Sequence, residues 1–321
     1  MTRTFSFRIG PLAGPVSVLS YLREHGFSHR IIARVKRTDR SICINGIPVL
    51  TSALLGEGDL LTVTLVEKPE GRYHAEPAPI PVSILWEDED LLVINKDANM
   101  PVHPSAGNHA NTLAHALAFW AAQRGEEYPC RCINRLDRDT TGLLIVCKNA
   151  LSSCILSEDM KKRQIQRTYL AIVKGNAGDG SVEAPIARRE GSAIMRCVDH
   201  ARGEYALTHY QTLSYRADLD LSLLRIRLET GRTHQIRVHM NYIGHPLIGD
   251  FLYGTDAALI DRQDADFPHK PDTALIGRQA LHSMELRFVH PLSGEQMHFL
   301  QPLPQDMQSL FPMFDVNWLS G

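Results

Sequence analysis

The chain has 321 residues, 44% of them apolar and 22% charged, which suffices for a sizeable core and fits a soluble globular protein of two units. A formal net charge of -2 excludes a global electrostatic pull toward nucleic acid, so any such binding must come from local clusters. No N-terminal basic-plus-apolar leader is present and no run approaches the roughly 18 apolar residues of a membrane span, so a cytoplasmic protein without membrane contact is expected.

Residues 4–9 (TFSFRI) alternate as a strand, and Val16 to Glu24, closed by Gly26, reads as a short helix. A second helix has Ser28 as its N-cap and runs through Ile31, Ile32 and Val35, with Arg30, Arg34 and Arg37 on its exposed side. Lys36 and Arg40 extend these into a basic cluster opposed by Asp39. Two strands follow, SICING with Asn45-Gly46 as a tight-turn signal, and DLLTVTL after a turn at 56–59. Residues 70–82 (EGRYHAEPAPIPV) hold three prolines without apolar periodicity and read as an extended linker between units.

The second unit opens with a hairpin, Ser83 to Trp86 and Leu91 to Asn95, around an acidic turn. Lys96 to Gly107 is an irregular loop, and helix propensity returns from Thr112 to Trp120 with Leu113, Ala114, Leu117 and Ala118 on one face. INRLDRDTTGLLIVCKN (133–149) then sets Asp137 between Arg135 and Arg138, ahead of an apolar strand. If Arg135, Leu136 and Asp137 are extended, side-chain alternation puts Arg135 and Asp137 on one side and Leu136 on the other. Thr140, Thr141 and Gly142 form a turn cluster, and Leu143 to Val146 is a run typical of a strand buried on both faces.

Asn149 can cap a helix of about fourteen residues whose last turn holds Lys161, Lys162 and Arg163, where cations suit the helix dipole. RTYLAIVKG then alternates as a strand, with Thr168, Leu170 and Ile172 on one face and Tyr169, Ala171 and Val173 on the other. Gln211 to Tyr215 and Leu221 to Leu228 give two more strands. In ETGRTHQIRVHMNYIGHPLIGD, Thr233 can cap a helix ended by Gly244. Ile236, Met240 and Ile243 form its apolar row, and His234, Arg237 and Asn241 the polar one, which turns Arg237 toward a cleft or solvent. LHSMELRFVHP and MHFL are the last strands, and residues 304–321 read as a loosely attached tail.

Six cysteines (43, 130, 132, 147, 154, 197) show no CxxC and no regular framework, and read as reduced, packed thiols. His103, His109 and His115 fit no standard ligand spacing and no thiolate pair supports them, so no metal is expected. A sugar hydrolase would usually supply two carboxylates flanking the scissile bond; here the only close second acid is Asp139, flanked by Arg138. A single Asp137 countered by Arg237 would stay ionised, which suits attack on a sugar carbon or removal of a sugar proton.

The blocks RLDxxTTGLL around Asp137, RTYLAIVKG around Tyr169, LETGRTHQIRVHM around Arg237, GHPLIGDxLYG and LHSMELRFVHP closely resemble the RluA-type pseudouridine synthases, in that family's order, from about Val93 to Pro304. Residues 14–66, with paired helices and a basic face, resemble an S-four-type RNA-binding domain. The resemblance implies an α+β fold: a mixed, largely antiparallel sheet flanked by helices and loops, with a small N-terminal α/β domain. The expected units are 1–69 (S-four-like), 70–82 (linker), 83–303 (catalytic) and 304–321 (tail).

It further implies isomerisation of uridine to pseudouridine in RNA without cofactor or metal. Asp137 matches the catalytic aspartate, which adds to the sugar or the uracil or abstracts a ribose proton. Tyr169 matches the tyrosine that lies against the uracil and takes its carbon-bound proton, and Arg237 the basic partner of the aspartate. Arg135 matches the arginine that fills the gap left by the extruded base, since a stacked uridine must be flipped out to be reached. Leu136, Thr141, His234 and Leu281 complete the expected substrate-binding set, and Arg30, Arg34, Lys36, Arg37 and Arg40 the expected RNA-binding set. Asn134 stands where the family usually has histidine, Thr141 where serine is usual, and KDANMPVHP where a lysine-proline-x-glycine loop is usual. The expected protein is a monomer that acts on ribosomal RNA in preference to transfer RNA. A non-catalytic RNA-binding or ribosome-assembly factor and a base-excising glycosidase are the alternatives.

Overall fold

The computed structural model describes residues 1–67, 75–104, 110–127, 129–254 and 275–315. The chain begins with β1 (Thr2–Arg8), β2 (Val16–Ser17), α1 (Val18–Glu24), α2 (His29–Val35), β3 (Ile42–Ile44), β4 (Ile47–Pro48), β5 (Leu54–Leu55) and β6 (Leu60–Val66). Four of these strands form one sheet in the order β1-β6-β3-β4, while β2 pairs with β5. The Ser17 and Ser28 hydroxyls accept the Ser20 and Ile31 amides, capping α1 and α2. The β3–β4 hairpin turns at Asn45 (φ 51°) and Gly46 (φ 78°), the left-handed pair that an Asn-Gly step supplies at low cost.

The remaining chain builds a second, larger sheet. Its elements are β7 (Ser83–Glu87), β8 (Leu91–Lys96), α3 (Leu113–Ala122), β9 (Arg131–Cys132), β10 (Thr141–Cys147), α4 (Ala150–Lys161), β11 (Gln166–Lys174) and β12 (Gly180–Glu183). They continue with β13 (Ile186–Arg188), β14 (Arg196–Val198), β15 (Leu207–Arg216), β16 (Leu221–Leu228), α5 (Gln235–Tyr242), β17 (Leu281–Val289), β18 (Gln296–Leu300) and α6 (Gln305–Gln308). The sheet order is β12-β15-β16-β11-β17-β10-β8-β7, with β18 on β17 and β9 on β10. Its pairings are antiparallel except β10–β17, so the α+β expectation holds.

Both faces of this sheet are covered, which is why β10 is buried along its whole length. On one face Leu92, Leu144, Val146, Ala171 and Ile226 pack against α3 and against Ile236 and Met240 of α5. On the other, Leu91, Val93, Leu143 and Ile145 pack against Leu156 of α4 and Phe288 of β17.

The structure corrects three expectations about elements. Thr141 and Gly142 belong to β10, so the turn lies at Arg138–Asp139. They make the parallel register with His282 and Ser283, where a Cβ on Gly142 would meet the Ser283 carbonyl oxygen at 2.2 Å. The helix after Thr233 is capped by His234 in a left-handed conformation (φ 59°), whose own side chain accepts no helix amide. The expected tail is anchored through residue 315: Met307, Leu310 and Phe311 are buried against Leu170, Ile172 and Met284, and Arg278 grips Asp306 through two bonds of 2.7 and 2.9 Å.

The first sheet's core runs into the second part of the chain through α4. Leu151 is buried among Val18, Leu22, Phe27 and Ile32, and Ile155 packs beside it. Gly26 (φ 84°) lets this approach happen, because a Cβ there would lie 2.5 Å from Ile155 Cγ1. Glu67, with a side chain 1% exposed, accepts from Arg34 Nη1 and Arg131 Nη2, both at 2.7 Å, and from the Ala150 amide at 2.8 Å. The expected RNA contact Arg34 is therefore already engaged by an internal carboxylate, although its outer part stays exposed. Arg30, Lys36, Arg37 and Arg40 are exposed.

Candidate active site

A cleft on the α5 face of the large sheet collects residues from four distant segments. Arg135, Leu136, Asp137 and Thr140 come from the β9–β10 loop, Tyr169 from β11, His234 and Arg237 from the start of α5, and Leu281 from the start of β17. Exposure alternates along residues 135–137, Arg135 being exposed, Leu136 buried and Asp137 half-buried with its side chain 24% exposed, but Leu136 lines the cleft with the other two and does not turn fully away from it as strict alternation would require.

Asp137 sits on a pinned loop. Its carbonyl accepts the Thr140 amide at 3.1 Å, and the next carbonyl, that of Arg138, accepts both the Met100 amide (3.1 Å) and Lys96 Nζ (2.9 Å). The ammonium of Lys96 is 1% exposed and also donates to the carbonyls of Asp97 (2.7 Å) and Met100 (3.0 Å). Burial lowers its pKa to about 7, against the pull of Asp139 and Asp137. Asn134, which replaces a usual histidine, uses its amide like a strand residue: Nδ2 donates to Leu143 O (3.1 Å) and Oδ1 accepts the Ile145 amide (3.0 Å). This substitution zips the loop to β10 and does not reach into the cleft.

The carboxylate of Asp137 accepts from Arg237 Nη1 at 3.0 Å, and His234 Nε2 lies 3.8 Å away. Burial pushes the Asp137 pKa up, but His234 when it is protonated at low pH, together with Arg237 and Arg135, outweighs it and holds the acid below its usual range. Arg237 is in turn fixed from behind by Asp250, whose side chain is fully buried: Nε donates to Oδ2 at 2.6 Å and Nη2 to Oδ1 at 2.8 Å. Desolvation opposes the guanidinium charge, yet Asp250 and Asp137 together raise its pKa, so the cation is permanent.

Asp250 also accepts the Leu252 and Tyr253 amides at 2.9 and 3.1 Å, closing a turn that carries Tyr253 beneath Arg237, with the guanidinium 5.0 Å from the ring centre. The Tyr253 hydroxyl accepts the Arg196 amide (2.7 Å) and meets His234 Nδ1 at 2.8 Å. Burial pushes Tyr253 up to about 12 and lowers His234 below its ordinary value, so at neutral pH both are uncharged. If Tyr253 donates to Nδ1, the imidazole N–H is at Nε2, facing Asp137.

Tyr169 is 4% exposed and lies on the strand face that also carries Ala171 and Val173. Arg135 donates to Thr233 Oγ1 at 3.1 Å, so the residue expected to cap α5 instead positions the arginine at the rim. Of the expected substrate-binding residues, Arg135, Leu136, His234 and Leu281 line the cleft and Thr141 does not. Its hydroxyl is turned to His282 Nδ1 (2.8 Å), and the residue lines a separate cleft with Asp97, Arg278 and Asp306. The shift follows from the strand starting at Thr141: alternation sends its side chain to the other face, and Thr140 takes the position in the cleft.

Asp250 and Tyr253 had no assigned role at the sequence level. The available signal was GHPLIGDxLYG, where Gly249 (φ 68°) makes a turn whose Cβ would lie 2.0 Å from the Arg278 carbonyl oxygen. Of the histidines considered as ligands, His115 bonds Thr112 at the start of α3, and His109 lies outside the described residues.

The arrangement offers one ionised carboxylate, braced by a permanent cation, and a phenol in the same partly apolar cleft. Comparisons with known proteins point the same way. The family model described as RNA pseudouridylate synthase matches residues 90–242. The uncharacterized RNA pseudouridine synthase YjbO of Bacillus subtilis (strain 168) is 40% identical over 298 residues, covering 92% of this chain and 98% of that protein. A ribosomal large subunit pseudouridine synthase D of Haemophilus influenzae is 39% identical over 287 residues, covering 89% of this chain and 84% of its own. Among solved structures, human RNA pseudouridylate synthase domain containing 1 superposes with a TM-score of 0.57 at 25% identity, over 77% of this chain and 96% of that one.

Proposed function

This chain belongs to the RNA pseudouridine synthase family and is an RNA pseudouridine synthase, and we propose that its substrate is ribosomal RNA and that Asp137 carries the reaction. The observation that supports the assignment of Asp137 is its contact with Arg237 at 3.0 Å in the cleft that also holds Tyr169. The isomerisation breaks the bond between N1 of uracil and C1′ of the ribose, turns the base, joins C5 to C1′, removes the proton from C5 and leaves N1 carrying one. Whether the acid adds to the sugar, adds to the base or takes a ribose proton, it must be ionised, and the cations around Asp137 keep it so. Tyr169 takes the C5 proton, and Arg135 enters the stack where the uridine has left it.

The N-terminal residues 1–69 act as the docking module, joined through 70–82 to a catalytic unit at 83–303. Arg30, Lys36, Arg37 and Arg40 supply its phosphate contacts. Ribosomal RNA as the target is supported by relatives named for the large ribosomal subunit. The protein works as a monomer in the cytoplasm; among the described residues no helix is long and apolar enough to cross a membrane. The test of the substrate is to map pseudouridines in ribosomal and transfer RNA from cells with and without the gene. Loss of one or more ribosomal sites is expected; loss confined to transfer RNA would reassign the substrate, and an unchanged map with a ribosome-assembly defect would favour a non-catalytic role.

A further inference from the structure

One group of side chains away from the cleft brings together chemistry that the reaction does not use. Cys130 and Cys132 flank Arg131 at β9, so strand alternation points both thiols to the same side. Their Sγ atoms are 3.7 Å apart, and a ring nitrogen of His103 lies within 4.8 Å of both. A disulfide needs about 2.05 Å between sulfurs, so this is a pair of separate thiols. Two zinc–sulfur bonds of about 2.3 Å at the tetrahedral angle separate the sulfurs by about 3.8 Å, and a zinc–nitrogen bond of about 2.0 Å sets the nitrogen about 3.5 Å from each. The sulfur edge of that tetrahedron is present, and the imidazole needs a shift of at most about 1.3 Å to complete the nitrogen edges.

We propose that Cys130, Cys132 and His103 form a zinc site, with a fourth position open on the half-buried side of Cys132 and His103. On binding, each Sγ–H gives its proton to solvent as its zinc–sulfur bond forms. A neutral imidazole nitrogen adds the third bond, and no electrons are transferred. Two thiolates then balance the dication, which suits a site walled by apolar residues of the α3 face.

The site would act as a clip. His103 ends the stretch whose Met100 amide bonds Arg138 O, and Cys132 lies five residues before Asp137, so the ion would tie together the two segments that hold the Asp137 turn. The other cluster of this kind, Asp88, Asp90 and His290, is already saturated. Both oxygens of Asp90 take Arg3, Oδ1 of Asp90 also takes Asn149, and Asp88 takes the Asp90 and Leu91 amides and faces His290 Nε2 at 2.9 Å.

The test uses untagged full-length protein, reduced, stripped with a chelator and titrated with Zn2+ and, as a spectroscopic probe, Co2+. One equivalent of Zn2+ per chain should survive gel filtration, Tm should rise with Zn2+ concentration, and Co2+ should give a near-ultraviolet thiolate charge-transfer band. Because two protons leave, apparent affinity should climb about a hundredfold per pH unit below the thiol range. Cys132→Ser should lose the band and weaken Zn2+ binding at least about tenfold, His103→Ala should weaken it similarly, and Cys43→Ser should change neither. Circular dichroism identifies any variant that fails to fold, and the wild-type stoichiometry and Tm shift stand without variants. Absence of tight Zn2+ binding by the wild type, or an unaltered Co2+ band in folded Cys132→Ser, would overturn the proposal; neither result bears on the synthase reading.

Discussion

Asp137 owes its charge to a cation that is itself held from behind. Because its folded pKa is depressed below the unfolded value of about 3.9, the stabilising contribution of its ion pair is present in full above that value and is lost as pH falls through the folded one. The same sign applies to activity: because Asp137 stays ionised below its usual range, the pH profile of C5-label release from uridine in RNA should show no acid limb from this carboxylate above about pH 5. A limb near pH 6 or 7 that persists at saturating RNA would mean that another group gates the reaction. Asp250 is the complementary case. Asp250→Asn removes the charge opposite a buried guanidinium, so unfolding free energy in urea should fall by about 3 kcal/mol and turnover should drop while RNA affinity holds. A variant as stable and active as the wild type would show that Asp137 alone suffices to hold Arg237. Asp137, Tyr169 and Arg237 were legible in the sequence because motif and periodicity both mark them. Asp250 was not, since its contact with Arg237 spans a turn of 13 residues, beyond any helical or strand repeat.

The elements that aim the site are legible wherever a repeat is long. β8, β10, β11 and α4 come close to the spans that alternation and capping suggest. The short strands β9 and β12–β14 carry too few residues to show a period, and the docked segment around Met307 and Phe311 hides its apolar contacts in a run without regular spacing. Thr141 was misplaced for a related reason: Thr-Thr-Gly reads as a turn, but Gly142 serves the close parallel approach of β17. At this scale Glu67 is the residue to test, because it joins Arg34, Arg131 and the first amide of α4. Glu67→Ala leaves the largely buried Arg131 without this partner and should cost about 3 kcal/mol in urea unfolding; exposed Arg34 adds little. A loss under about 1 kcal/mol would show that apolar contacts of Leu151 and Ile155 alone bind α4 to the first sheet.

Taken whole, the molecule has a net charge near zero, so its hold on RNA must be local. The exposed cluster on and after α2 is the place where the docking role of the first residues can be measured. Replacing Arg37 and Arg40 with Gln should weaken RNA binding and flatten its dependence on salt by about one unit of slope per lost phosphate contact. A parallel salt slope for wild type and variant would remove this face from the RNA path. The measurement closest to the central claim is release of the C5 label from uridine in ribosomal RNA by purified Asp137→Asn protein. The variant keeps the loop and its backbone bonds, and it should bind RNA as the wild type does yet release no label. Release at the wild-type rate would contradict the assignment of Asp137 as the group that starts the isomerisation.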